Sequence, residues 1–210
     1  MKVTRVTCCL FVLLLSLVAF AFSTSAPTAR AASGKSVQFK FHGLSAVAFF
    51  DNLSPDGCID TFVDVDGSQN PVGKQTFSSA DVFIGKFDNC MGTLLLLAFG
   101  STFNPTFQVS NKLDSASLSA TISVFDEVSG TTFNVSVSTT WMATGPLSHE
   151  IGSFHFHTKN FIENFHFNDA FRDASASGTV SDGTTNFTPS PSVFAQTASF
   201  KSGDVTISHS

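Results

Sequence analysis

Apolar and polar residues alternate with a period of two along most of this chain. The pattern is clearest in 118–124 (LSATISV) and 133–138 (FNVSVS), and it recurs in 37–41 (VQFKF). Because successive side chains of a β-strand point to opposite faces of the sheet, this period predicts half-buried strands. Beyond the N-terminal region, no stretch of ten residues shows the 3.6-residue period of an amphipathic helix. The sequence therefore predicts an all-β fold.

Turn-forming residues separate the alternating stretches at short intervals. They include 55–57 (PDG), 66–67 (DG), 129–130 (SG) and 181–183 (SDG). Strands joined by such turns are antiparallel neighbours, and about ten strands exceed what one flat sheet holds comfortably. An antiparallel β-sandwich is the favoured architecture, with a closed β-barrel as the alternative.

The N-terminal region predicts export. Lys2 and Arg5 precede an apolar run over 8–22, which is followed by small and polar residues and by Ala-Arg-Ala at 29–31. The run is shorter than the ~20 residues that a spanning helix needs. We therefore expect residues 1–31 to be a cleaved secretory signal peptide and 32–210 to form one β-domain of an extracellular protein.

The remaining chain is acidic and rich in phenylalanine. Three of the 11 basic residues lie in 1–31, so eight remain against 16 acidic residues, a net charge of −8. This charge disfavours nucleic acid and anionic lipid as partners. The next most apolar segment, 93–100 (TLLLLAFG), is too short to span a membrane and predicts a fully buried strand.

Two cysteines remain outside the predicted signal peptide. Cys58 and Cys90 are separated by 32 positions and lack the CxxC spacing of redox or metal sites. In an oxidising compartment such a pair most simply forms one disulfide. A two-cysteine metal site and free thiols are the alternatives.

The strongest candidate site is the stretch 155–167 (HFHTKNFIENFHF), which contains three of the six histidines. We predict a β-hairpin with strands 153–158 and 163–168. That register sets His155 opposite His166, with His157 on the diagonal, and it sets four phenylalanines on the other face, toward the core: Phe154, Phe156, Phe165 and Phe167.

Three imidazoles on one face of a hairpin are a candidate zinc site. Zinc accepts three histidines and a water, which leaves one position open for chemistry. No carboxylate lies on the predicted histidine face to orient the ligands, since Glu163 falls on the phenylalanine face. The competing interpretation is that His155, His157 and His166 occupy the exposed side of an amphipathic hairpin.

A second candidate metal site is acidic. Asp60, Asp64 and Asp66 recur with a period of two before the Asp-Gly turn at 66–67, and oxygen ligands beside a glycine turn suit calcium. The spacing of an EF-hand loop is not met. The competing interpretation is a solvent-facing acidic strand surface, with Ile59, Thr61, Val63 and Val65 turned inward.

The sequence contains no G-x-S-x-G elbow, no H-E-x-x-H motif and no P-loop. We therefore expect a non-enzymatic, extracellular binding or structural module without a cofactor, whose partner is an unidentified protein or surface ligand. The many phenylalanines favour a phenylalanine-rich core, and the alternative is that some of them, such as the adjacent Phe49 and Phe50, point outward and form a contact surface. The alternative is a zinc protein built on the three histidines, with lyase or hydrolase activity.

Overall fold

The computed structural model describes residues 37–72, 74–158 and 161–208, so the predicted signal peptide lies outside the described residues. Ten strands account for most of them, and no helix occurs among them. The strands are β1 (Val37–Leu53), β2 (Ile59–Val72), β3 (Gln75–Asp88), β4 (Thr93–Phe103), β5 (Thr106–Val109), β6 (Ser115–Asp126), β7 (Thr131–Ala143), β8 (Ser148–Thr158), β9 (Phe161–Ser181) and β10 (Phe194–Ser208). The predicted all-β class and antiparallel pairing are confirmed.

All ten strands belong to one antiparallel sheet. Its order is β10-β1-β2-β3-β4-β6-β7-β9-β8, and β5 pairs with β6 at the side of this path. The long strand β9 also pairs with β10, through residues 162–173. This additional pairing joins β10, at one end of the path, to β9, so the hydrogen-bonded order forms a ring, with β8 attached to β9 outside it.

The core lies on one side of the sheet, where the apolar members of the alternation meet. On β6 and β7 the alternation is regular, because every second residue is buried and the residues between them are almost all exposed. The core side chains with 0% exposure include Val63, Ile84, Ile122, Val135 and Val180. We use "outer face" for the side of the sheet that points away from this core.

The single tryptophan ties two distant strands together across the core. Trp141 on β7 is 0% exposed, and its Nε1 donates a hydrogen bond of 2.8 Å to the carbonyl oxygen of Val47 on β1. The two strands are not neighbours in the sheet. The indole therefore fills space between them and satisfies its own buried N–H, as a tryptophan in a core must.

Two sequence-based expectations about apolar segments are wrong in detail. The segment 93–100 is not a fully buried strand, because Leu94 and Leu95 are 41% and 43% exposed. The adjacent Phe49 and Phe50 do not share one face, since Phe50 is 2% exposed in the core and Phe49 lies half-buried on the outer face. Two consecutive residues of an extended strand point to opposite sides of the sheet.

Among residues 37–72, 74–158 and 161–208, no helix has the length and hydropathy needed to cross a bilayer.

Candidate functional site

Strands β8 and β9 form the predicted histidine hairpin, but with a different register. Phe154 pairs with Phe165 and His155 pairs with Asn164, so the strands are offset by two residues from the predicted pairing. The prediction was wrong because it placed 159–162 in the connection, whereas Phe161 already pairs with Thr158. A shift of two residues preserves the faces, so the three histidines still lie on the same side of the hairpin.

The phenylalanine face of this hairpin is not the core. Phe154 and Phe156 are 55% and 45% exposed, with their rings stacked at a centroid distance of 6.5 Å. Farther along β9, the side chains that enter the core are the even-numbered ones, such as Ala176 and Val180. The odd-numbered Phe165 therefore shares the outer face. The amphipathic pattern was recognised correctly, but the apolar side was assigned to the core when it points outward.

The three histidines lie near one another on the hairpin. His155 and His157 have stacked rings at a centroid distance of 6.4 Å, and Nδ1 of His155 is hydrogen-bonded to Oδ1 of Asn164. His166 pairs with Ser153, diagonal to His155 and farther from His157. Within the described part of the chain, no group of three or more His, Cys, Asp or Glu side chains is arranged to hold a metal ion. The zinc site remains a prediction.

The acidic strand β2 has the predicted faces. Val63 and Val65 are fully buried in the core, so Asp60, Asp64 and Asp66 lie on the outer face. These carboxylates are only partly exposed. Among the described residues, these aspartates do not form a group that could hold a metal ion. The calcium site stays a prediction.

A row of phenylalanines crosses the outer face at the level of Asp64. Six neighbouring strands each contribute one residue to the row. Each of these residues is paired directly with the one on the adjacent strand. The row is Phe194 (β10), Phe49 (β1), Asp64 (β2), Phe83 (β3), Phe99 (β4) and Phe125 (β6). We call its five phenylalanines the aromatic row. With neighbouring strands ~4.8 Å apart, the row extends over roughly 24 Å.

Two rings of the aromatic row contact each other and leave part of their surface in water. Phe99 and Phe125 meet edge to face at a centroid distance of 6.4 Å and are 45% and 43% exposed. At Asp64, Phe62 on the same strand fills the gap, with its ring 6.5 Å from that of Phe49 and 5.8 Å from that of Phe83. Aromatic contacts therefore continue past the carboxylate.

The ring of Phe62 has room because its neighbour on β3 is a glycine. A Cβ atom added at Gly85, which pairs with Phe62, would lie 2.0 Å from the Phe62 ring. Any side chain at position 85 would displace that ring from its contacts with Phe49 and Phe83. The sequence pattern around 85 gave no sign of this role.

Five aspartates share this region of the outer face. Asp66 is directly opposite Asp81, Asp64 follows next on β2, and Asp51 lies diagonal to Asp60. Like charges directly opposite one another on a sheet are destabilising. Oδ1 of Asp60 and Oδ1 of Asp64 are buried without a hydrogen-bond partner.

Burial and the neighbouring carboxylates raise the pKa of several of these carboxyl groups. Desolvation raises the pKa of Asp64 to about 6, partly offset by a hydrogen bond from a backbone N–H. Desolvation, together with the charges of Asp64 and Asp81, raises the pKa of Asp66 well above its usual range. Desolvation and the neighbouring Asp60 raise the pKa of Asp51. Each of these shifts arises because the charged form lacks water and a counter-charge.

No cation balances these groups from within the face. At the described outward positions of β10, β1, β2, β3 and β4, no residue is Lys, Arg or His. Lys86 on β3 belongs to the inward-facing set with Val82 and Ile84. We use "acidic aromatic face" for the aromatic row together with Phe62 and the five aspartates.

The predicted disulfide is confirmed. Cys58 and Cys90 are bonded, with their Cα atoms 5.1 Å apart. The bond joins the segment before β2 to the turn between β3 and β4, and it adjoins the backbone hydrogen bond from Asn89 N–H to the Cys58 carbonyl. The loop-entropy model assigns such a bond about 3–4 kcal/mol of stability.

One surface depression has a volume of about 590 Å³ and is lined in part by Phe133, Phe187 and Leu96. Its ionisable lining side chains are Lys86 and Asp182.

Comparison of the chain with protein-family models, with curated proteins and with solved structures yields no match. The acidic aromatic face is thus the most distinctive surface, and sequence reasoning missed most of it. Each strand contributes one phenylalanine to the row, and only the pairing registers align them. The separated pair Phe49-Phe50 was the one available signal, since one of two adjacent strand residues must point outward.

Proposed function

We propose that this protein is a secreted, non-enzymatic binding module whose contact surface is the acidic aromatic face. The observation that supports this most directly is the aromatic row itself. It sets five phenylalanines side by side on the outer face, with Phe99 and Phe125 almost half exposed. Contiguous exposed apolar surface is uncommon on monomeric proteins and marks sites of interaction.

The architecture suits a rigid display surface. The pairing of β9 with β10 favours the closed-barrel alternative over the sandwich, because it leaves the ring without free edges at that point. In such a scaffold, the register between neighbouring strands holds outward side chains at fixed separations. A binding face of this kind is preorganised, so little ordering is required on association.

Secretion is the second part of the proposal. It is supported by the apolar N-terminal run in the sequence and by the disulfide between Cys58 and Cys90, which suits an oxidising compartment. N-terminal sequencing of the protein collected from the culture medium tests it. We expect a chain that begins near Ala32, and a chain retained in the cell with residues 1–31 intact would contradict export.

The binding role is tested by site-specific photo-crosslinking in the medium of producing cells. A photoreactive phenylalanine analogue is placed at Phe99 in one protein and at Ser136, an exposed outward position of β7, in the control. We expect a discrete crosslinked species from position 99 only, which is lost when Phe125→Ser is added. Identical products from both positions, or none from position 99, would refute the proposed contact surface.

The zinc alternative retains one supporting observation, which is that His155, His157 and His166 share a face of the hairpin. Calorimetric titration with zinc, on protein without a histidine tag, compares the native chain with a His155→Ala/His157→Ala/His166→Ala variant. Stoichiometric sub-micromolar binding that the variant loses would establish the site. Equally weak binding to both would reduce the histidines to surface residues of the hairpin.

A further inference from the structure

We propose that the acidic aromatic face binds a cationic, amphipathic peptide segment of its partner. This inference rests on the proposed function and specifies the chemistry of the ligand. It combines two features of the face that a single ligand must satisfy, the apolar rings and the unbalanced carboxylates.

The first argument is charge. Asp51, Asp60, Asp64, Asp66 and Asp81 lie on the face, and its described outward positions provide no Lys, Arg or His. The unpartnered Oδ1 atoms of Asp60 and Asp64 lack the hydrogen-bond donors that buried carboxylates require. An ammonium or guanidinium group of a partner supplies both the donors and the counter-charge.

The second argument is the placement of the aromatic rings around Asp64. Phe49 and Phe83 pair with it from the two neighbouring strands, and Phe62 contacts both of their rings. A cation near the Asp64 carboxylate therefore also meets ring faces, which attract cations through their quadrupole. An anionic ligand would meet repulsion at the same place.

The third argument is distance. Phe99 is two strands from Asp64 and Phe125 is three strands from it, which corresponds to roughly 10 and 14 Å at the usual strand spacing. A small organic cation does not reach from the carboxylate to the exposed end of the row. A peptide that carries both cationic and apolar side chains on one side of an extended chain does, since about seven extended residues cover the full ~24 Å.

A second copy of this chain does not fit the face. In a two-fold dimer formed through it, the same five aspartates would face one another, and like-charge contact disfavours such an interface. The predicted repulsion of nucleic acid and anionic lipid applies here most strongly, because this is where the negative charge is concentrated.

The test is fluorescence anisotropy with a labelled peptide of about twelve residues, a length that exceeds the row. Lys and Leu take turns at every second position and Ser fills the positions between them, so that the extended peptide presents both side-chain types on one side. Two reference peptides replace Lys with Glu or Leu with Ser. The proteins are the native chain from a secreting host, Asp64→Asn, and the matched charge variant Glu150→Gln on the outlying strand β8. Thermal unfolding verifies that each variant is folded.

We expect the Lys-Leu peptide to bind the native protein and Glu150→Gln equally, and to bind Asp64→Asn at least tenfold more weakly. Binding to the native protein should also weaken as the pH falls below about 6, as Asp64 takes up a proton. The charged groups that surround Asp64 on its own and neighbouring strands are Asp51, Asp60, Asp66 and Asp81. All are acidic, so they reinforce this direction.

The outcomes separate the two proposals. If the Glu-Leu peptide binds as well as Lys-Leu, or if Asp64→Asn binds as tightly as the native chain, the ligand is apolar and the cationic inference fails while the binding face survives. If tetramethylammonium displaces the peptide at equal potency, the ligand is a small cation and not a peptide. If the protein dimerises with increasing concentration and Asp64→Asn does not, the ligand is a second copy of this chain. If no peptide binds and position 99 gives no crosslink, the proposed function fails as well.

Discussion

The two halves of the sheet share the same alternation on the inside and differ on the outside. On β6 and β7 most outward positions are uncharged and polar, such as the exposed Ser119, Thr121 and Ser136, and the apolar exceptions include Phe125 and Met142. On β1 to β4 the outward positions include the phenylalanines and aspartates of the acidic aromatic face. The core places the same demand on both halves, so the difference does not arise from folding. The proposed contact surface rests on this difference.

The carboxylates of the two regions show the same contrast. Asp126, at the end of β6, is 5% exposed and accepts hydrogen bonds from the backbone N–H groups of Leu97 and Val128 and from the Ser129 hydroxyl. Asp64 is half-buried with an unpartnered oxygen. Desolvation acts to raise the pKa of both, but at Asp126 the hydrogen bonds outweigh it and the pKa is lowered. The Asp126 carboxylate stabilises its turn. The charged Asp64 carboxylate destabilises the fold as long as no ligand pairs with it.

The largest expected effect concerns the core that both halves share. Trp141→Ala removes a fully buried indole and its hydrogen bond to Val47, which we expect to cost about 3–5 kcal/mol of unfolding free energy. Urea denaturation measures it. The control is Met142→Ala, at the exposed neighbouring position, which should change stability little. Comparable losses in both variants would mean that Trp141 does not link the two halves.

Asp64→Asn should stabilise the protein at neutral pH. The folded-state pKa of about 6 lies above the usual 3.8, so the folded chain binds a proton between these values that the unfolded chain does not. Stability therefore rises as the pH falls from about 6 toward 3.8, and it is lowest above 6, by up to about 3 kcal/mol. The asparagine variant lacks this penalty and this slope. Urea midpoints at pH 8, 6 and 4 measure it, and an unchanged pH slope in the variant would contradict the assignment.

Asp126→Asn should act in the opposite direction. The amide replaces one acceptor oxygen with a donor that faces backbone N–H groups, so we expect a loss of about 1–3 kcal/mol near neutral pH. Because the folded-state pKa is lowered, the native stabilisation is present above pH 3.8 and disappears as the pH falls through the folded value. The penalty of the variant should shrink in acid. A penalty that persists at pH 2 would show that packing, not charge, is responsible.

The smallest stability effect is expected on the aromatic row. Phe99→Ser/Phe125→Ser removes two half-exposed rings and their edge-to-face contact, which is worth about 0.5–1.5 kcal/mol beyond the area they bury. The change converts this part of the face into the polar type seen on β6 and β7. We expect binding of a hydrophobic dye such as ANS to fall while the unfolding free energy changes modestly. Loss of the folded state would show that the aromatic row is required for stability, which would contradict its assignment as a contact surface.

Part of the fold was accessible from sequence because it depends on local chemistry. The alternation in 133–138 predicts which side chains of β7 enter the core, and Val135 and Val137 do so. The spacing and compartment of Cys58 and Cys90 predicted their bond. The predicted hairpin register was wrong by two residues, because a shift of two leaves the alternation of faces unchanged. Only the pairing of Thr158 with Phe161 distinguishes the observed register from the predicted one.

The alternation by itself determined the strands, the antiparallel pairing and the inward or outward direction of most side chains, since a strand's two faces follow from its backbone. The tertiary structure decided the rest. Whether Phe49, Phe83, Phe99 and Phe125 form one row depends on several independent strand registers and on the crossover that brings β6 beside β4. Those registers are set by contacts between residues far apart in the chain, which no local pattern records.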